Sequence, residues 1–308
     1  MAITARDVQT LREMTGVGMM DCKKALVASD GDMEKAVEYL REKGLAAAQK
    51  KADRVAAEGM AYAAVLDGVG VVVEVNAETD FVGKNEVFVD YVKGVAAVVA
   101  KENPADVDAL MALSYPGTGR TVQEEQHEKV LVIGENIQTR RFARYASGLN
   151  VPYVHAGGKI GVLVNLEVSD NLRGSDKAAE AGKDIAMQIA ALNPRFWDKG
   201  QVDQATLDEE KKIMLAQMEG DPKMAAKPEK VKEGIITGKL GKFYKENCLL
   251  QQEFVKDSSM TVEQYLANTA KALGGSIIFR DAVRFEKGEG IEKRQECLAA
   301  EVAKQLGK

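Results

Sequence analysis

Histidine and cysteine are both scarce in this chain: two of the first and three of the second in 308 residues. His127 and His155 fall in different expected elements and lack the spacing of metal ligands. His127 follows Gln123-Glu124-Glu125-Gln126 on an expected helix and reads as a solvated surface residue. His155 lies beside Gly157-Gly158, where a structural role at a hairpin edge and a partner contact both remain open. Cys22, Cys248 and Cys297 are far apart with no C-x-x-C spacing, which argues against a disulfide framework or a zinc site. No apolar run is long enough to cross a bilayer, and Met1-Ala2-Ile3-Thr4-Ala5-Arg6-Asp7 lacks the basic and apolar regions of a signal peptide. Reduced thiols and the missing membrane signals lead us to expect a cytoplasmic chain with no membrane partner.

Nucleotide-binding fingerprints are missing too. Thr237-Gly238-Lys239-Leu240-Gly241-Lys242 holds a Gly-Lys pair without the upstream glycine and following hydroxyl of a phosphate loop, and neither Gly16-Val17-Gly18 nor Gly68-Val69-Gly70 extends to a dinucleotide motif. Direct nucleotide binding is not expected, and neither is a cofactor. Carboxylates are plentiful but none stands out as an acid/base pair, so an enzyme is not expected either. The net charge of -5 argues against a surface that grips nucleic acid along its whole extent, while leaving room for a local basic patch.

What is present begins with a small helical unit over residues 3–45. Thr4 with Asp7 is a capping pattern ahead of Val8, Leu11 and Met14, which share a helix face; Gly16 and Gly18 break that helix. Asp21 is expected to cap a second helix carrying Ala25 and Leu26, and Asp30-Gly31-Asp32 to open a third carrying Ala36, Val37 and Leu40. The stretch Leu45-Ala46-Ala47-Ala48-Gln49-Lys50-Lys51-Ala52 is small and basic and reads as an exposed helical linker, leaving the first unit semi-detached.

Beyond it, strands and helices alternate in two copies. Gly70-Val71-Val72-Val73-Glu74-Val75 answers to Gly161-Val162-Leu163-Val164-Asn165-Leu166 at an offset of 91, each preceded by a turn, Asp67-Gly68 or Gly157-Gly158, that reads as a hairpin. Asn103-Pro104 answers to Asn193-Pro194 at an offset of 90, and Thr121-Val122 to Thr261-Val262, like Arg140 to Arg280, at 140. The core is therefore a tandem duplication whose second copy holds an insertion of 50 residues between Pro194 and Thr261. Helical spacing in Leu207, Ile213, Met214, Leu215 and Met218, then in Val231, Ile235, Leu240, Phe243 and Tyr244, around Gly220-Asp221-Pro222, makes the insertion a helical hairpin. Its second arm carries Lys223, Lys227, Lys230, Lys232, Lys239, Lys242 and Lys245 without interleaved arginine or aromatics, the pattern of a solvated coiled-coil face more than of a nucleic-acid site. A ribosome- or nucleic-acid-binding module built on that arm is the alternative reading. Ile291, Leu298, Val302 and Leu306 suggest a terminal helix over Ile291 to Gln305.

The copies differ where the first strand pair ends. Aligned at the strand offset, Ala77-Glu78-Thr79-Asp80-Phe81 faces Val168-Ser169-Asp170-Asn171-Leu172, so the shared fold does not demand Phe81. That aromatic either fills a local gap, worth roughly 1.5–3 kcal/mol if buried, or anchors a partner. Its neighbours Asp80, Gly83, Lys84 and Asn85 favour the anchor.

Leu11-Arg12-Glu13-Met14-Thr15-Gly16-Val17-Gly18-Met19-Met20-Asp21-Cys22-Lys23-Lys24-Ala25-Leu26 and Glu78-Thr79-Asp80-Phe81-Val82-Gly83-Lys84-Asn85 resemble the two signature segments of the elongation factor Ts family, and His155-Ala156-Gly157-Gly158-Lys159-Ile160-Gly161-Val162-Leu163-Val164 resembles a third. The likeness covers essentially the whole chain. It implies a guanine-nucleotide exchange factor for the GTPase elongation factor Tu, with a homodimer within the complex as an open possibility and no direct nucleic-acid contact. Leu11, Met19 and Met20 would touch the GTPase's nucleotide-binding domain; Ile133, Gly134 and His155 would touch another domain. Thr79, Asp80, Phe81 and Val82 would be the segment that dislodges the partner's Mg2+. Two positions depart from the family pattern: Gly83 replaces the usual alanine and could loosen the loop, and Glu253 stands where proline often occurs. The implied fold class is α+β, with a ubiquitin-associated-like helical domain and linker over 1–55, a core N-subdomain over 56–147, a core C-subdomain over 148–285 with the inserted hairpin at about 203–256, and a C-terminal helical module over 286–308.

Overall fold

The computed structural model describes residues 3–292, so all but the first two residues of the expected terminal helix lie outside the described residues. The chain forms two compact units. Among the described residues, one comprises residues 3–146 with Val154–Gly161 and residues 285–292; the other comprises Ser147–Tyr153 and Val162–Arg284. The fold class is α+β, as expected, and the described residues form three small antiparallel sheets.

The first unit opens with α1 (Ala5–Thr15), α2 (Met19–Ala28) and α3 (Met33–Lys51). Thr4 caps α1 in a reciprocal box with Asp7, and the Asp32 side chain accepts from the Lys35 amide to start α3. Asp21 is not a cap: α2 starts from Gly18, and Asp21 lies in its first turn, where Lys43 of α3 donates to it at 2.6 Å and holds its carboxyl below the usual range. Val8, Leu11, Val17, Leu26, Ala36 and Leu40 close the core of these helices.

The stretch 45–51 is helical, but it is the end of α3 and not a free linker. Next in the chain come the strands β1 (Glu58–Leu66) and β2 (Val69–Ala77), then α4 (Glu86–Glu102), α5 (Val107–Ala112), α6 (Val122–Ile133) and β3 (Gln138–Tyr145). Ala47 and Ala48 pack against the core beneath α4 and α6, and the Lys51 ammonium donates to the Gly134 carbonyl at 2.6 Å. Small side chains let the helix lie that close. His127, expected on an open surface, is half-buried on α6, and burial lowers its pKa.

Asp67 (φ 50°) and Gly68 (φ 81°) form the two-residue turn joining β1 to β2, and β2 lies between β1 and β3. Val71, Val73, Val75 and Ala77 pack on Phe88, Tyr91, Val92 and Val95 of α4. The alternate side chains on β2 are buried as well, Glu74 among them at 0% exposure. A register shift leaves Arg140 as an extra residue opposite Glu74 and Val75, so Arg140 (3.1 Å) and Arg141 (2.5 Å) both reach the Glu74 carboxylate. The Gly288 amide also donates to it, at 2.8 Å. At Gly288 (φ 72°) a Cβ would lie 2.0 Å from the Ala57 carbonyl oxygen, so glycine is required for that approach.

The second copy repeats the plan with β4 (Leu149–His155), β5 (Ile160–Val168), α7 (Asp176–Leu192), α8 (Gln204–Glu219), α9 (Pro222–Ala225), α10 (Glu229–Asn247), β6 (Glu253–Phe254), β7 (Asp257–Thr261), α11 (Val262–Ala272) and β8 (Ile277–Glu286). Its sheet runs β4-β5-β8, matching β1-β2-β3. Helices α4 and α7 both span 17 residues and end on an asparagine in the left-handed region, Asn103 and Asn193. Thr121 opens α6 and Thr261 opens α11, each with a capping box. Helices α8 and α10 form the inserted hairpin around Met214, Phe243, Leu207, Ile236 and Leu240. Ile213, Leu215 and Val231, part of the apolar helical spacing read from the sequence, are exposed.

Two stability predictions follow from buried carboxylates. Glu74→Gln removes the charge that faces two partly exposed guanidiniums; chemical denaturation is expected to show a loss of about 3 kcal/mol, the low end for a broken buried pair. Glu128, on α6, has an Oε1 without a hydrogen-bond partner among the described residues, and burial raises its pKa from 4.5. A folded-state pKa above the unfolded one means that ionisation opposes folding at neutral pH, and that this cost disappears as pH falls below the unfolded value. Glu128→Gln should raise the melting temperature at pH 7, with the gain shrinking towards pH 4.5.

Candidate functional site

Strand β2 runs directly into Glu78-Thr79-Asp80-Phe81, and a short 3-10 turn, Val82–Lys84, leads on to α4. The Lys84 amide donates to the Phe81 carbonyl (3.1 Å), the Asn85 amide to the Val82 carbonyl (2.9 Å), and the Asn85 side chain caps α4 through the Val87 amide. Adjacent residues then point to opposite environments. Val82 is 5% exposed and belongs to the core under β2 and α4, whereas Phe81 is 80% exposed. Phe81 therefore fills no gap in this unit.

The loop's base is held by two carboxylates. Glu135, just past α6, accepts from the Glu78 amide (3.0 Å), the Thr79 amide (2.9 Å) and the Thr79 hydroxyl (2.6 Å). Glu78 in return accepts from the Asn136 amide at 2.6 Å and pairs with Arg54 at 3.5 Å. The Asn136 side chain donates to the Arg54 carbonyl at 2.8 Å. Neither Glu135 nor Asn136 stood out in the sequence; the only signal was a polar pair directly after the Gly134 helix stop.

Gly83 is buried, and its expected loosening effect does not fit its surroundings. A Cβ there would lie 2.8 Å from the Gly59 carbonyl oxygen, so the glycine lets the turn press close against β1. Thr79, Asp80 and Phe81 form one rim of an open cleft whose other rim is Lys159 with Glu286, Lys287, Gly288 and Glu289.

The second copy supplies an internal comparison, and the helix caps correct its alignment. Asn85 caps α4 and Ser175 caps α7, an offset of 90 and not the strand offset of 91. Phe81 thus corresponds to Asn171, and Val82 to Leu172, which is 4% exposed. An apolar residue is kept at the buried position, and the exposed one is polar in the second copy.

The other expected contact residues separate by exposure. Met19 (51%) and Met20 (65%) lie open on α2, whereas Leu11 (0%) is inside the bundle and offers no surface. Ile133 is partly buried against the first core, Gly134 is an exposed helix cap in the left-handed region, and His155 is exposed at the end of β4. Lysines of the hairpin are interspersed with acids: Lys232 pairs with Glu229 at 2.9 Å and Lys242 with Glu246 at 3.5 Å. Among the described residues no group of His, Cys, Asp and Glu could hold a metal ion, and no helix is long and apolar enough to cross a membrane. Cys22 and Cys248 are buried, and burial raises the pKa of the first thiol and pushes that of the second up to about 11, which disfavours the thiolate in both.

Fold and site together define a duplicated α+β protein with an N-terminal helical bundle and an exposed aromatic on a held loop. Residues 78–289 match the family model Elongation factor TS. The chain is 48% identical over 306 residues to an Elongation factor Ts of Syntrophotalea carbinolica, covering 98% of this chain and 99% of that one. It is 46% identical to that of Magnetococcus marinus, covering 99% of both chains, and 48% identical to that of Clostridium kluyveri, again covering 99% of both. The chain belongs to the elongation factor Ts family, a family of translation elongation factors.

The division between Phe81 and Val82 is testable by stability alone. Val82→Ala should cost about 2 kcal/mol in denaturant unfolding, whereas Phe81→Ala should stay within about 0.5 kcal/mol of the parent.

Proposed function

We propose that this chain is a guanine-nucleotide exchange factor for elongation factor Tu: it binds the GDP form of that GTPase and promotes GDP release so that GTP can bind. Family membership supports the partner, and the exposed Phe81 carries the mechanism. Phe81 enters an apolar pocket of the partner near its magnesium site, with Asp80 beside it and Thr79 and Val82 holding the loop. The metal neutralises the nucleotide's phosphates, so moving its ligands weakens GDP without any bond being made or broken. Met19 and Met20, adaptable side chains on α2, contact the nucleotide-binding domain, and Leu11 supports them from within the bundle. The segment Ile133-Gly134 and His155 contact another domain. Reciprocity completes the cycle: if the bound factor weakens GDP by some ratio, the nucleotide weakens the factor equally, which allows GTP with aminoacyl-tRNA to release it.

Stopped-flow release of labelled GDP from elongation factor Tu tests this reading. Phe81→Ala should slow stimulated release roughly tenfold or more, the loss expected when a buried aromatic worth 1.5–3 kcal/mol is removed. A release rate equal to that of the parent would remove Phe81 from the mechanism.

A further inference from the structure

We infer that Glu135 is a positioning residue for Phe81: with Glu78 it forms a two-carboxylate clasp that fixes the loop before any partner arrives. The functional consequence rests on the exchange-factor reading; the clasp itself does not. Four bonds cross between the segments 78–79 and 135–136, three accepted by Glu135 and one by Glu78, and all four have a carboxylate acceptor. Charge-assisted bonds of this kind are about twice as strong as neutral ones.

The second copy shows how little its equivalent turn requires. At the offset of 140 shared by Thr121 and Thr261, Glu135 corresponds to Gly275 and Asn136 to Ser276. There the Ser169 amide donates to the Ser276 carbonyl at 3.1 Å and the Ser276 amide to the Ser169 hydroxyl at 2.9 Å. A side chain at Gly275 would meet Ser169 Oγ at 2.4 Å, so a carboxylate has no place in that turn. Val168 stands where Glu78 would be. Both clasp carboxylates thus occur only in the copy whose turn presents an exposed aromatic.

The reason is physical. Phe81 has no packing of its own to define its direction, so its placement depends on the backbone at 78–80. Thr79 is tied directly to Glu135, and Glu135 follows immediately on the Ile133-Gly134 segment, which Lys51 also grips. A loop ordered in advance loses less freedom on binding.

Amide hydrogen exchange on the full chain reads the clasp without a partner. In Glu135→Gln the amides of Glu78 and Thr79 should exchange about tenfold faster or more, while those of α4 keep their protection. Glu135→Asp, which keeps the charge, should restore part of that protection. In stimulated GDP release, Glu135→Gln should lower the maximal rate about tenfold and change the half-saturating concentration less than about twofold, because the outlying contacts remain. Should Glu135→Gln fail to fold, Glu78→Gln tests the other half, with faster exchange expected at the Asn136 amide. Parent-like exchange at these amides, or equal loss of protection in α4, would overturn the clasp. Phe81→Ala, run beside it, separates the two ideas: unchanged GDP release there sinks the wedge while the amide readout still decides the clasp.

Discussion

The Glu74 carboxylate ties together three parts of the first unit. It stands on the central strand β2, fully buried, and gathers Arg140 and Arg141 from β3 and the Gly288 amide from the far end of the chain. A lone carboxylate in that place would cost several kcal/mol, so the bulge that lets two consecutive arginines reach it is part of the same requirement. Asn76 extends the network, donating to Glu74 and to the Glu58 carbonyl. Two residues further along the same strand the loop begins. The base of Phe81 is therefore attached to one of the most constrained stretches of the unit.

Much of this was legible in the sequence because it is written in local periods. The capping pattern of Thr4 with Asp7, the Asp67-Gly68 turn and the valine run of β2 each depend on residues a few positions apart. What stayed hidden depends on distance. Glu74 is a single polar residue within an apolar run, and its partners lie 66, 67 and 214 positions away. Asp21 looked like a cap because it precedes an apolar pair, yet its partner is Lys43, across the bundle. Leu11 carried the family signature and is buried; a signature records what is kept and does not separate contact from core.

The duplication was visible, but its register was not. Strand and helix offsets differ by one residue, and the slip falls inside the very loop at issue. Only the cap geometry of Asn85 and Ser175 decides it. With the register set, each turn has one apolar residue facing inward, Val82 or Leu172, and the neighbouring position is free to vary. One copy filled that position with asparagine, the other with phenylalanine. The fold supplied the position, and divergence between the copies made it distinctive.

An exposed aromatic on a loose loop would be a poor instrument for exchange. A factor shifts the partner's nucleotide equilibrium only by the difference between its contacts with the two states, and freedom lost on binding subtracts from every contact alike. Val82 already packs the turn on the core, but packing Phe81 as well would turn its ring away from any partner. Anchoring the loop instead at its base, through carboxylates that accept backbone amides, leaves the ring exposed while its backbone is held. The apolar contribution of Val82 and the polar one of Glu135 are thus complementary: the first keeps the turn on the core, the second sets the strand exit from which Phe81 projects.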